Sequence, residues 1–225
     1  MSRPLVVLRP EPGCTETVAA ARAMGLAPVA APLFSIEPVA WQVPEDMSFG
    51  AILAGSANAF RCGGEQLGLV RHLPVLAVGA RTAEAAREAG FVVDRTGAGG
   101  LQAIVESLAS PGRFLRLAGE ARVTLSPPPG IEIVDAVVYR AAQLRLAREA
   151  ALALATGGVA LLHSAEAARR FAAECDRLAL PRAGIALAAL APRIAMAAGE
   201  GWNRVEIAPD LSDGALLAMA HDMCQ

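Results

Sequence analysis

Along this chain, short apolar runs alternate with longer stretches of helical period, the pattern of parallel α/β architecture. Leu5–Leu8 reads as a buried strand and Arg9-Pro10-Glu11-Pro12-Gly13 as the turn that ends it. Thr15 is placed to cap a helix running to Met24, Gly25 stops that helix, and Ala27–Pro32 gives the next strand. The second half opens alike, with Phe114–Leu117 as strand, then a loop with a weaker helical signal, then Ile131–Val138. In each half a strand follows (Ile52–Ala54 or Ala160–Leu162) that runs into a helix beginning Ser-Ala-x-Ala. Val75–Val78 and Ile185–Leu190 come next, each passing into an alanine-rich helix. Both halves finish on a small-residue turn and a helix, near Gly99 in one and Ser212 in the other.

The two halves repeat each other residue by residue. Gly25, Val29, Ala31 and Phe34 recur as Gly130, Val134, Ala136 and Tyr139. Ser56, Ala57, Ala59 and Arg61 recur as Ser164, Ala165, Ala167 and Arg169, and Arg81 and Ala83 as Arg193 and Ala195. The offset grows from 105 to 108 to 112 residues, so the order is kept and only loops lengthen. That period is far too long for a solenoid unit and is the size of a small domain. Two similar lobes with a cleft between them are expected. Ser35–Val39 and Arg140–Gln143 look like connections. The pattern leaves open whether the chain crosses between lobes once or twice.

Composition removes several functions. At 225 residues with 54% hydrophobic content, two cores of about a hundred residues each are within reach. All 20 basic residues are arginine, so Schiff-base chemistry, a lysine general base and a phosphate loop ending Gly-Lys-Ser/Thr are impossible. A net charge of −2 with scattered arginines argues against nucleic acid as partner. Cys14, Cys62, Cys175 and Cys224 stand far apart, and with His72, His163 and His221 they make no metal-binding spacing. Reduced, mostly buried thiols are expected. Met1-Ser2-Arg3-Pro4 runs at once into the first strand without the apolar stretch of a secretory signal, and the longest apolar run is broken by Pro192 and Arg193. No membrane partner is expected, and the compartment is read as cytoplasmic.

Ser56 and Ser164 sit at strand-to-helix junctions, where helix N-termini offer free N–H groups to a carboxylate or phosphate. Both also read as ordinary N-caps. Thr82 follows Gly79 at the next junction of the first half, where its counterpart is Ile194; it also reads as an early-helix residue. Tyr139 is the only tyrosine, an uncharged donor or acceptor whose counterpart Phe34 points to packing. Arg9 and Arg116 are placed at the ends of opening strands, as forks for a carboxylate or as solvated surface residues. Gly97-Ala98-Gly99-Gly100 fails a dinucleotide fingerprint because Gln102 holds its third position, and Ala54-Gly55-Ser56-Ala57-Asn58 is not a nucleophile elbow.

The ordered set resembles the uroporphyrinogen-III synthase family over nearly the whole chain. It comprises Leu8-Arg9-Pro10, the run from Gly25 through Ala27-Pro28-Val29, Ser56-Ala57-Asn58-Ala59, Val78 to Ala83, Gly130 to Tyr139, and Ser164 with the helix after it. The resemblance implies two flavodoxin- or Rossmann-like lobes, each a parallel-sheet three-layer α/β domain, joined by two extended linkers. Lobe 1 would be residues 1–34 with 143–225, lobe 2 residues 39–136, and the linkers 35–38 and 137–142. It implies hydroxymethylbilane as substrate, closed with loss of water and inversion of the last pyrrole through an azafulvene and a spiro intermediate, by a monomer without metal or cofactor. Carried over by position, Tyr139 would be catalytic, and Arg9, Ser56, Ala57, Asn58, Gly79, Thr82, Ser164 and Pro192 would bind substrate. Two segments depart from the family pattern. Ala191-Pro192-Arg193-Ile194 lacks the serine or threonine frequent there, and Arg116-Leu117-Ala118-Gly119 stands for the usual Arg-Gly. A non-catalytic bilobal protein binding a small anion or tetrapyrrole remains the alternative, and a nucleotide-dependent enzyme a third reading.

Overall fold

The computed structural model describes residues 3–45 and 48–225. Met1 and Ser2 of the opening segment, and Asp46 and Met47, lie outside the described residues. The chain forms two compact units, one made of the chain up to Ser35 with Gln143–Gln225, the other of Ile36–Ala142. It therefore passes from one unit to the other twice.

In unit 1, β1 (Leu5–Val7) leads into α1 (Gly13–Ala23) and β2 (Pro28–Ala30). After the return from unit 2 come α5 (Arg148–Ala155), β9 (Val159–Leu162), α6 (Ala165–Arg177), β10 (Ala186–Ala189), α7 (Pro192–Ala197), β11 (Arg204–Ile207) and α8 (Asp213–Cys224). The sheet order is β11-β10-β9-β1-β2, with every pair parallel. The three central strands β1, β9 and β10 are continuously apolar and buried because both their faces are covered. Leu5 and Val7 pack with α1 and α8, Val6 and Leu8 with α5, α6 and α7.

In unit 2, β4 (Ala51–Ala54), α2 (Asn58–Cys62), β5 (Val75–Val78), α3 (Ala80–Glu88), β6 (Val93–Gly97) and α4 (Leu101–Glu106) precede β7 (Gly112–Gly119) and β8 (Ile131–Gln143). With β3 (Phe34–Pro38), the order is β3-β8-β7-β4-β5-β6. Apart from the edge strand β3, this is the order of unit 1, with β7 and β8 in the places of β1 and β2, and β4, β5 and β6 in those of β9, β10 and β11. The sequence repeat is thus a repeat of sheet positions. The parallel sheet expected for this lobe is in fact mixed. Val39 N–H donates to Val138 O and Leu144 N–H to Leu33 O, so β3 runs against β8, and the segments read as linkers are strands.

Gly25 and Gly130 take the same place before β2 and β8, and both have left-handed backbone, φ +79° and +84°. At Gly25, bonds from Gly25 N–H to Arg22 O and from Leu26 N–H to Ala21 O close α1 in a Schellman turn. The start of α1 differs from expectation. Thr15 lies inside the helix, and its N–H is satisfied by the Glu11 carboxylate at 3.0 Å rather than Thr15 acting as the cap. The weak helix expected between β7 and β8 does not form. Residues 120–130 run as loop, in keeping with Pro127-Pro128-Pro129, which remove three N–H donors. Cys14, Cys175 and Cys224 are buried free thiols and Cys62 is half-buried.

Candidate active site

Unit 1 has the chain order 2-1-3-4-5 familiar from flavodoxin-like sheets, and the parallel strands of unit 2 read 3-2-1-4-5. In both, ligands are expected where the winding reverses, at the carboxyl ends of the two central strands. In unit 1 those strands are β1 and β9, and in unit 2 they are β7 and β4. The residues just past them are the candidates.

In unit 2 a cavity of about 210 Å³ lies at this point, lined by Gly55 and Ser56 after β4, by Arg116 and Gly119 of β7 and by Tyr139 of β8. Ser56 Oγ accepts a bond from Asn58 N–H at 3.2 Å, so the hydroxyl organises the turn into the five-residue helix α2 and keeps its own proton for another acceptor. Tyr139 sits where the β7–β8 register shifts between Ala118 and Gly119. A methyl group at Gly119 would lie 2.7 Å from Tyr139 Cε2 and Cζ and 2.9 Å from its hydroxyl. Glycine at this position is therefore what lets the ring lie against β7 and hold its hydroxyl at the cavity.

Arg116 is not at a strand end, nor is it a solvated surface residue. It is inside β7 and buried, with Asp135 its register partner on β8 and its Nη1 3.7 Å from Asp135 Oδ1. Desolvation lowers its pKa, and Asp135 opposes that. Asp135 is also held by Arg122 at 2.6 Å. Arg116 and Arg122 line a second, polar cavity of about 340 Å³ with Glu120 and Asp135.

The other residues singled out in this half do not line the smaller cavity. Ala57 and Asn58 begin α2, where Ala57 packs on the core. Gly79 has φ +76°, and its N–H donates to Gly97 O at 2.9 Å. Thr82 is buried in α3, so its hydroxyl belongs to the packing of that helix.

In unit 1, Arg9 follows β1 and makes an ion pair with Asp213, the first residue of α8. Its Nη1 also donates to Thr17 Oγ1 at 3.2 Å. Ser164 caps α6, accepting from Ala167 N–H at 3.1 Å, a contact worth about 1 kcal/mol. Ser212 caps α8 in the same way. Pro192 is exposed at the first position of α7, where its missing N–H costs nothing. His163, between β9 and Ser164, is buried beside Asp213, with Nε2 3.7 Å from Oδ1. Burial and the Arg9 charge hold it down at about 4, against the pull of Asp213, so it is neutral near pH 7.

Ser56 and Tyr139 thus come together, as do Arg9 and the Ser164 junction within unit 1. Sequence reasoning missed Gly119, Asp213 and His163 as parts of these sites. Asp213 is 204 residues from Arg9, and only the sheet order joins them. Gly119 did carry a signal, since it stands in the segment that departs from the family pattern.

No helix among the described residues is long and apolar enough to cross a membrane, and no group of three or more His, Cys, Asp or Glu among them could hold a metal ion. No curated protein matches the chain. Among solved structures, uroporphyrinogen-III synthetase from Helicobacter pylori is 16% identical, with TM-score 0.66, covering 98% of this chain and 99% of that one. A mutant uroporphyrinogen III synthase from Thermus thermophilus is 18% identical, with TM-score 0.56 and 99% of both chains covered. At these identities the likeness speaks for the fold. The family model described as "Uroporphyrinogen-III synthase HemD" matches residues 15–218. That span covers all of unit 2 and most of unit 1, with β1 and Arg9 lying before it, and the chain belongs to the uroporphyrinogen-III synthase family.

Proposed function

We propose that this chain carries out the reaction of its family, closing hydroxymethylbilane to uroporphyrinogen III with loss of water and inversion of the last pyrrole. The family match over residues 15–218 carries this reading and favours it over a non-catalytic binding protein. The cavity that joins Tyr139 to Ser56 supports a site for the chemistry.

In this reading the bilane's terminal hydroxyl leaves with the C–O electron pair and takes a proton from the Tyr139 phenol as it goes. The pyrrole left behind is a cation that becomes the azafulvene implied by the family resemblance when it gives up its N–H proton, and that proton restores the Tyr139 phenol. A phenol suits that task because it is uncharged near pH 7 and donates one proton. Each unit offers a carboxylate-receiving strand end, with Arg9 and the Ser164 junction in one and the Ser56–Asn58 turn in the other. Gly79, Thr82, Ala57 and Pro192 then act by shaping the backbone at these ends. The bilane is reactive by itself, so holding it in a ring-closing conformation supplies much of the rate. The functional division follows residues 1–34 with 143–225 and residues 39–136, joined through 35–38 and 137–142. The enzyme works as a cytoplasmic monomer on a small-molecule substrate, without nucleic acid as a partner.

The test is conversion of freshly made hydroxymethylbilane by the purified chain, with the ring isomers separated after oxidation. Type III as the main product supports the reading. Type I alone, at the spontaneous rate, refutes it.

A further inference from the structure

His163 poses a problem in unit 1. Its side chain is only 9% exposed, and among the described residues neither ring nitrogen has a hydrogen-bond partner. A neutral imidazole carries one N–H donor and one lone-pair acceptor, and a buried polar group left unmade costs about 1–3 kcal/mol. Asp213 Oδ1 stands 3.7 Å from Nε2, just beyond bonding distance, because the carboxylate is engaged with Arg9. The ion pair has an outer edge open to solvent, with Asp213 32% exposed and Arg9 16%, and His163 lies behind it.

We propose that His163 is a positioning residue in a carboxylate exchange at this end of unit 1: a substrate carboxylate takes the Arg9 guanidinium from Asp213, and the freed Asp213 accepts a hydrogen bond from His163 Nε2–H. The proposal rests on the reading that Arg9 receives a carboxylate. Asp213 is chemically the same group as the incoming ligand and fills the ligand's place in the free protein. Arg9 is braced to stay where it is when Asp213 turns. Thr17 accepts from Nη1, and the lack of a side chain at Gly13 gives the guanidinium room, since a Cβ there would lie 2.4 Å from Nε. The N-termini of α6 and α8, of 13 and 12 residues, add positive potential at the same place.

The exchange moves a proton. The charged groups facing His163 are Arg9, from the segment between β1 and α1, and Asp213, from α8. In the free protein the Arg9 charge opposes protonation. Once a ligand carboxylate neutralises Arg9 and Asp213 closes on the ring, both changes favour the imidazolium. A proton from solvent then forms the second N–H bond of the ring, and no other bond is made or broken. His163 therefore relieves the repulsion that a freed Asp213 would exert on the bound carboxylate.

The test uses the full chain labelled with 15N-histidine and titrated by NMR, with and without saturating uroporphyrin III as a polycarboxylate probe. The chain has three histidines, and the signal lost in His163→Gln assigns the one of interest. Free His163 should titrate at about 4. With probe bound, its proton affinity should rise at least tenfold while His72 and His221 stay put. In Asp213→Asn the rise should shrink to the part that neutralising Arg9 gives without a closing carboxylate. An unmoved titration, a rise undiminished in Asp213→Asn, or failure of the probe to bind the native protein would each overturn the proposal. Turnover of hydroxymethylbilane by the same sample separates this from the functional reading. Type III product with an unmoved His163 sinks only the exchange, whereas a shifted His163 without turnover sinks the assigned reaction and leaves the exchange standing.

Discussion

Replacing Gly119 by alanine should damage catalysis more than it damages the fold. The backbone there is not left-handed, so alanine is permitted by conformation, and the three atoms nearest its methyl all belong to Tyr139. The new methyl would start 2.7 Å from Cε2 and Cζ, and ordinary contact begins near 3.4 Å, so the ring has to retreat by about 0.7 Å. Misplacing a catalytic group by about 1 Å costs on the order of 10²-fold. Gly119→Ala should therefore lower kcat by roughly 10- to 10²-fold, or about 1.4–2.7 kcal/mol of barrier. The ring is only partly buried and can yield outward, so the stability cost should fall at the low end for overpacking, about 1 kcal/mol. The assay is kcat for type III formation, with a denaturant midpoint measured alongside. A double-mutant cycle identifies the cause. If Gly119 acts by placing the hydroxyl, adding Gly119→Ala to Tyr139→Phe should cost less than twofold. An equal loss in both backgrounds would refute the positioning role.

Three further outcomes follow from the same geometry. Glu174 is buried at the core side of α6, where bonds from Arg177 and the Leu146 N–H, with Arg170 nearby, hold it at about 2 despite burial. A depressed carboxyl stabilises the fold above its unfolded pKa, so this contribution should fade as pH falls from about 4.5 to about 2; Glu174→Gln should cost about 2 kcal/mol at pH 7, and a midpoint difference that persisted at pH 2 would contradict it. Native alkylation should label Cys62 slowly and the other thiols hardly at all, with Cys175 pushed up to about 12 by burial, whereas the denatured chain gives four labelled cysteines by mass; fast native labelling of Cys175 would contradict the packing. With net charge −2, substrate affinity should weaken less than tenfold between low and physiological salt, and a steeper loss in the binding isotherm would reveal a basic funnel.

Much of the fold was legible because the repeat carries sheet position. Val29 and Val134 fall on β2 and β8, Ser56 and Ser164 just past β4 and β9, and Arg81 and Arg193 at the starts of α3 and α7, each pair at the same place in its own sheet, whereas Phe34 opens the edge strand β3 and its counterpart Tyr139 stays in β8. The pairing of β3 with β8 was not legible, because Ser35–Val39 has the polar, proline-bearing look of a connection and becomes a strand only against the overlong β8. At the site, Ser56 and Tyr139 could be picked out as repeat positions, one retaining its hydroxyl in both halves and the other gaining one. Arg116 could not be judged, because its burial depends on lying opposite Asp135, a register that only the folded β7–β8 pair defines. Thr82 read either as a ligand-facing junction residue or as an early-helix residue, and the first turn of α3 rotates it into the core. Asp213 had no local signal, since its role arises when α8 is brought back beside β1.

Whether the chemistry sits at the β4–β7 end of unit 2 is tested most directly by single-turnover kinetics of Tyr139→Phe. Loss of the phenol proton should slow type III formation by up to about 10²-fold, with the type III isomer still formed. Affinity and thermal stability should stay close to wild type, because the ring is kept and Phe34 occupies the corresponding repeat position. Wild-type turnover in that variant, with type III as the sole product, would contradict a catalytic Tyr139 and leave substrate positioning as the source of the rate.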